Sequence, residues 1–194
     1  MPDEKTAQTA DEDAGKTAEK TDVKAEVISW VKTVLFAVLF ALFITRFVIV
    51  NASIPSASME DTVMTGDRII AFRLAYVFSQ PKRFDIVVFK FPDNESIYYI
   101  KRIIGLPGET VDIKNGKVYI DGSGEPLDDG FIRETQDIEG DMRFVVPEGC
   151  YFMMGDNRNN SVDSRYWNRK FVEKKKILGE AVIRYYPLNG IKVF

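Results

Sequence analysis

From Met1 to about Glu26 the chain carries mostly Asp, Glu, Lys, Thr and Ala, with no aromatic residue and no sustained apolar period. Such a composition buries too little apolar surface to fold alone, so residues 1–26 are expected to form a disordered tail. At Val27 the pattern inverts to VISWVKTVLFAVLFALFITRFVIV, which ends at Val50 and is apolar on every side of a helix through its middle. No face is left for water. The uncharged run inside it, Thr33 to Thr45, is 13 residues, about 20 Å of helix against a hydrocarbon layer of about 30 Å. Taken alone, that length suits a buried core helix. Lys32 and Arg46 flank the run, however, and long cationic side chains reach from helix ends to lipid headgroups, so residues 27–50 are read as a transmembrane anchor. The charged stretch ahead of the span is too long for an ordinary cleaved signal sequence.

Lys16, Lys20, Lys24 and Lys32 precede or open the span, whereas no Lys or Arg stands between Arg46 and Arg68. The positive-inside bias then predicts a cytoplasmic N-terminus and an extracytoplasmic folded domain. Beyond the span, short β-rich runs recur between turn signals: Arg68 to Phe72, Asp85 to Phe91, Ile97 to Ile104, Thr110 to Ile113, Lys117 to Ile120, Cys150 to Met154 and Ala181 to Tyr186. They predict a mostly β fold. Asn115-Gly116 sits between two of these runs and signals a two-residue hairpin turn, because both positions tolerate positive φ. The acidic, turn-rich stretch from about Asp121 to Asp141 reads as a small insertion. Phe72 to Phe78, FRLAYVF, is read as core in preference to a segment that dips into the bilayer.

Composition narrows the chemistry. A chain of 194 residues that is 45% hydrophobic can bury one sizeable core with a small subdomain attached. A net charge of -3 without a basic, aromatic-interleaved stripe offers nothing to a phosphate backbone, so no nucleic acid partner is expected. The chain has no histidine and one cysteine, Cys150. A Ser-His-Asp triad, a His-activated thiol and an intramolecular disulfide are therefore all excluded. Cys150 itself is expected to be a small buried hydrophobe.

A serine hydrolase without histidine needs another base, and a lysine whose pKa is lowered by burial can serve. Ser56-Ala57-Ser58-Met59 follows Ile54-Pro55 a few residues past the span, with the proline stiffening the approach. Lys101 lies in IYYIKRII, where strand alternation puts it on one face with Ile97, Tyr99 and Ile103. Desolvation there favours the neutral amine, although an edge lysine reaching water fits the same local pattern. The loop GDNRNNSVDSR, Gly155 to Arg165, holds more hydrogen-bonding groups than a connection requires. It fails as a calcium loop, since counting from Asp156 the sixth position is Ser161 and the twelfth is Trp167.

IPSASM, YIKRIIGLPGE and MGDNRNNSVDSR, in that order behind an N-terminal anchor, resemble the motif blocks of signal peptidase I. The resemblance runs from about Ile44 to the C-terminus. It implies Ser58 as nucleophile, Lys101 as general base and Ser56 as a hydroxyl donor to the oxyanion beside the Ser58 backbone N–H. It further implies that Ser161 orients Lys101 by a hydrogen bond, that Asp163 and Arg165 form a supporting ion pair, and that Asp156, Asn157 and Arg158 complete the loop holding the base. Ile54, Met59, Val63, Tyr99 and Ile100 correspond to the lining of small pockets for the substrate. Substrates would be membrane-tethered preproteins with small residues at -1 and -3, and neither metal nor organic cofactor is implied.

The implied fold is an antiparallel β core domain, residues 51–111 and 148–194, with a smaller inserted β subdomain at 112–147. Two departures from the family pattern stand out: Ala57 where glycine is usual, and Asp61 where a proline commonly follows the methionine by two residues. A catalytically silent domain that binds exported peptides, and a relative dedicated to one partner, are the competing readings of the same residues.

Overall fold

The computed structural model describes residues 23–132, 134–137 and 140–194. The chain divides into two units after Phe43. In the first, helix α1 spans Val23–Phe43. Most of the expected tail, residues 1–22, lies outside the described residues, and its last four positions already belong to the helix. A π-helical turn, Ile44–Val48, prolongs the run, so Val23–Val48 forms a 26-residue span of mean hydropathy 2.4 whose apolar window is nowhere buried. At about 1.5 Å per residue it is about 39 Å long, enough to cross a hydrocarbon layer of about 30 Å. The span ends two residues before the expected Val50, because Ile49 and Val50 turn their backbones into a sheet.

The second unit is built on antiparallel strands: β1 (Ile49–Ser53), β2 (Arg68–Phe72), β3 (Ile86–Lys90), β4 (Tyr98–Gly105), β5 (Thr110–Lys114), β6 (Lys117–Ile120), β7 (Met142–Val145), β8 (Cys150–Met154), β9 (Val172–Glu173), β10 (Ile177–Tyr186) and β11 (Lys192–Val193). The larger sheet has the order β1-β2-β10-β3-β4-β8-β9, with β11 also on β10. The smaller sheet, β6-β5-β7, contains the anticipated hairpin, where Asn115 and Gly116 take φ 49° and 75°. It is not an isolated lobe. Val111, Ile113 and Val118 join Ile104 of β4 and Phe152 and Met154 of β8 in one buried cluster, so the small sheet is fixed to β4, which carries the candidate base, and to its neighbour β8.

Strand β4 sets two chemically different faces. Lys101 stands opposite Val87 and Tyr99 opposite Phe89, whereas Ile100 stands opposite Val88 and Arg102 opposite Ile86. Its second edge pairs with β8 only between Arg102 and Gly105, so the N-terminal half has one free edge. β1, at the end of the sheet, has another.

Two expectations are corrected. Phe72 to Phe78 is largely surface, with Leu74 41%, Val77 58% and Phe78 98% exposed. A 3-10 turn, Arg73–Tyr76, carries the segment off the end of β2, and Tyr76 packs back onto the core and donates to Asp85 Oδ2 at 2.8 Å. Cys150 is half-buried at the start of β8 instead of fully interior.

Candidate active site

Ser58 sits in a single 3-10 turn, Ala57–Met59, entered by an extended Ser56 (φ -135°, ψ 156°). The turn is held from below. Ile54 N donates to Asp67 O at 3.0 Å and Gly66 N to Ile54 O at 2.8 Å, while Met59 and Val63, both fully buried, anchor the following residues in the core. Asp61 takes φ 77°, a left-handed value that Asp tolerates and proline cannot adopt. The departure from proline at this position therefore goes with a turn shape that a proline-bearing sequence cannot share.

Lys101 is 4% exposed, and its Nζ donates to Ser58 Oγ and, at 3.1 Å, to the carbonyl of Ile100. Strand geometry explains the burial, since Tyr99 on the same face brings its ring centroid within 5.5 Å of Nζ. Burial lowers the Lys101 pKa to about 8. Asp163 and Asp156 oppose that shift and Arg165 adds to it. An amine in that range is substantially neutral at mildly alkaline pH, as proton abstraction requires. Ser56 Oγ lies 3.5 Å from Ser58 Oγ, on the exposed side of the turn.

The loop after β8 packs against this turn. A Cβ on Gly155 would lie 2.3 Å from both Ser161 Oγ and the Ser58 carbonyl oxygen, so only glycine admits so close an approach. Asn157 then grips the turn, its N–H to Ser58 O at 3.2 Å and its Nδ2 to Ala57 O at 3.1 Å. Asp163 and Arg165, both with fully buried side chains, form a two-point ion pair with both N···O distances 2.7 Å. Asp163 Oδ2 also accepts from Gly155 N at 2.9 Å and from Ser161 Oγ at 2.7 Å. The Ser161 hydroxyl thus donates to Asp163, whereas the Lys101 amine bonds Ser58 and the Ile100 carbonyl.

Arg158 is buried and ties the loop outward, donating to Asp129 Oδ2 at 2.9 Å and to Gly155 O at 3.2 Å. Asp156 faces Arg102 in a second two-point pair, Nε–Oδ1 2.8 Å and Nη2–Oδ2 2.6 Å, and accepts from Thr62 Oγ1 at 2.5 Å. Arg102 and Thr62 were absent from the residues singled out by sequence. A signal existed for Arg102: alternation places it among isoleucines, and a guanidinium there demands a carboxylate.

Ser56, Ser58 and Lys101 open into a cleft of about 940 Å³. Of the five residues expected to line substrate pockets, Ile54, Tyr99 and Ile100 line this cleft, whereas Met59 and Val63 are not among its lining residues and are fully buried. Ala57, which replaces the usual glycine, is among the residues that line the cleft. Along the cleft run the free edges of β1 and of the N-terminal half of β4, which can pair with an extended peptide laid between them. A hydroxyl on a desolvated amine, a second hydroxyl beside it and unpaired strand edges suit acyl transfer on a polypeptide.

Comparison with known proteins agrees with this chemistry. The sequence profile of the family described as signal peptidase, peptidase S26, matches residues 27–186. Signal peptidase I of Leptolyngbya laminosa is 39% identical over 155 residues, covering 76% of this chain and 74% of that protein. Signal peptidase I of Aquifex aeolicus is 36% identical over 202 residues, covering 74% and 78%. The crystal structure of a signal peptidase I from Enterococcus faecalis is 35% identical, with TM-score 0.44 over 53% of this chain and 97% of that one.

Proposed function

The chain belongs to the signal peptidase family, peptidase S26, and from that membership we propose that Ser58 and Lys101 are the pair with which it removes signal peptides from exported preproteins. It is a membrane-bound serine endopeptidase working by a Ser/Lys dyad through an acyl-enzyme. The observation that carries the residue assignment is the contact of a buried Lys101 Nζ, pKa lowered to about 8, with Ser58 Oγ.

In the proposed sequence, Ser58 Oγ adds to the scissile carbonyl carbon while its proton passes to the neutral Lys101 Nζ. The oxyanion accepts hydrogen bonds from the Ser58 backbone N–H and the Ser56 hydroxyl. Collapse breaks the C–N bond, Nζ gives its proton to the departing amine, and the signal peptide remains as an ester on Ser58. Water then attacks the ester, losing a proton to Nζ, and that proton returns to Ser58 Oγ as the peptide leaves. Asp163, Arg165 and Ser161, with Asp156, Asn157 and Arg158, hold the loop that fixes the turn.

The side chains of an extended substrate alternate, so those at -1 and -3 fall on one wall of the cleft, beside Ile54, Tyr99 and Ile100. Small residues at those two positions are what the family membership implies. The helical span is the anchor in the lipid bilayer, and the lysine asymmetry around it supports a cytoplasmic N-terminus with the domain from Asn51 onward outside. Within that domain, the inserted subdomain expected at 112–147 corresponds to the small sheet, whose strand β5 starts at Thr110, and the catalytic core expected at 51–111 and 148–194 takes in β1 from Ile49.

Cleavage of a preprotein in detergent by the full-length protein, and its loss in Ser58→Ala, is the test. Retained cleavage by folded Ser58→Ala would remove the assignment. Ser56→Ala should slow turnover about 10- to 1000-fold, the range for one lost oxyanion donor, and an effect below threefold would assign that hydroxyl to the turn alone.

A further inference from the structure

Resting on the signal peptidase reading, we infer that Arg73 is a specificity residue that caps the carbonyl end of the signal peptide's apolar helix, about seven residues upstream of the cut. The cleft has two ends. Ser58 and Lys101 stand toward one, and the other is lined by Thr45, Ile49 and Arg73. The lining contains no Asp or Glu, and Arg73 and Lys101 are its two basic residues. Lys101 is committed to Ser58 and the Ile100 carbonyl. Arg73 Nε donates to Ile49 O at 3.1 Å, which fixes the guanidinium at the start of β1, and among the described residues no carboxylate pairs with it.

The direction of the substrate follows from covalent connection. Thr45 belongs to the last turns of the Val23–Val48 span and Ile49 is the residue that follows it, so the chain itself ties this end of the cleft to the anchor. The part of a membrane-tethered substrate that leaves the bilayer first enters here, and the peptide runs parallel to β1 and β4 toward Ser58. From Ile49 to Ser56 the wall is eight residues, and its seven steps span about 23 Å at the rise of an extended chain.

A signal peptide carries an apolar segment of about 7 to 15 residues ahead of a small-residue cleavage site. Inside lipid that segment must be helical, since every backbone group has to be bonded internally. In the cleft it must be extended. The change of conformation leaves four carbonyls without partners and the negative end of the helix dipole at the junction. The Arg73 guanidinium, with its remaining N–H donors at the mouth of the cleft, is placed to bond them. Arg73 then sets the spacing between helix end and cut, whereas the walls near Ser58 read -1 and -3.

The test compares the full-length wild type with Arg73→Gln and Arg73→Lys in dodecyl maltoside micelles, which contain no phosphate. One substrate is a preprotein whose apolar helix ends seven residues before the cut. The other is a peptide that starts at -5 and cannot reach Arg73. Arg73→Gln should lower kcat/KM on the preprotein about tenfold, chiefly through KM, at least fivefold more than on the peptide. Arg73→Lys should recover part of the loss. Adding three residues between helix and cut should penalise the wild type and leave Arg73→Gln little changed. Equal losses on both substrates, or a loss seen solely in phosphatidylglycerol vesicles, would overturn the inference in favour of a structural or a lipid-binding arginine. A wild type that cleaves neither substrate would instead overturn the function on which the inference rests.

Discussion

Strand β4 buries two neighbouring cations on opposite faces and treats them in opposite ways. Arg102 meets Asp156 at two points, with Thr62 and the Phe84 carbonyl satisfying more of the same network. Lys101, 4% exposed, bonds a hydroxyl and a carbonyl, and no carboxylate touches its amine. The first arrangement keeps charge in the interior by compensating it, and the second makes charge costly and so releases a proton acceptor. The two residues adjoin in sequence and share one strand, so the difference lies in what faces them. Arg102 acts as a strut between the strand and the catalytic loop, and Lys101 as the group that changes protonation.

The largest effect should come from denying Lys101 its neutral form. A guanidinium stays protonated at any pH the protein survives, so Lys101→Arg should lower kcat/KM by about 10⁴-fold. A thermal melt must accompany the assay, because an arginine forced between Tyr99 and Val87 can unfold the site. A folded Lys101→Arg protein with more than a tenth of wild-type activity would show that the lysine is a structural cation like its neighbour.

The strut should fail in a different currency. Arg102→Met leaves Asp156 buried and unpaired, which should cost about 3–5 kcal/mol of stability. Arg102→Met with Asp156→Leu should recover most of it, because the pair is then replaced by apolar groups. If the single variant melts within a degree of wild type, water reaches Asp156 and the two faces differ less than their contacts indicate.

How far the sequence reveals these features depends on the distance between partners. The Asn115-Gly116 hairpin and the limits of β2, β6 and β8 are written in local patterns, and the structure keeps them. Alternation along IYYIKRII likewise buries Lys101. β1 escapes notice because Ile49 and Val50 continue the apolar run of the anchor, and only pairing with Phe72 and Ala71 makes them a strand. β7, directly after the acidic stretch, escapes for the same reason, since its partner β5 lies about thirty residues back. In the site, the Ser58 and Lys101 side chains converge as expected. Arg102–Asp156 and Arg158–Asp129 close over 54 and 29 residues, and no local period encodes such a match. Ser161 is placed differently on a finer scale: its hydroxyl donates to the charged acceptor Asp163, while the Lys101 amine bonds Ser58 and the Ile100 carbonyl.

Neutralising the burial penalty should be visible in stability as well. Lys101 has a folded pKa of about 8 against an ordinary value of 10.5, so between those limits the unfolded chain binds more protons and stability rises with pH. Below pH 8 the full penalty is present. Lys101→Met should therefore be more stable than wild type at pH 7 by at most about 3 kcal/mol, and the advantage should shrink as pH passes from 8 to 10.5. Denaturant melts at pH 7, 9 and 10.5 measure it, and a constant difference would mean that the lysine is protonated in both states.

The smallest effect concerns the field that the catalytic loop imposes on the base. Activity should follow the fraction of neutral Lys101 and so fall about tenfold per pH unit below about 8 in kcat/KM. Asp163 raises the Lys101 pKa by its charge, and Arg165 lowers it. Asp163→Asn removes the first influence and leaves the second uncompensated, so both changes act in the same direction. The acidic limb should move to lower pH, by less than about one unit, even as the maximal rate drops because the loop is loosened. Ser161→Ala removes a hydrogen bond on the same carboxylate and leaves its charge in place, so its limb should stay near that of the wild type. The pair of profiles separates charge from packing. A limb that shifts equally in both variants would trace the change to altered burial of Nζ, and a limb fixed in both would assign it to a group other than Lys101.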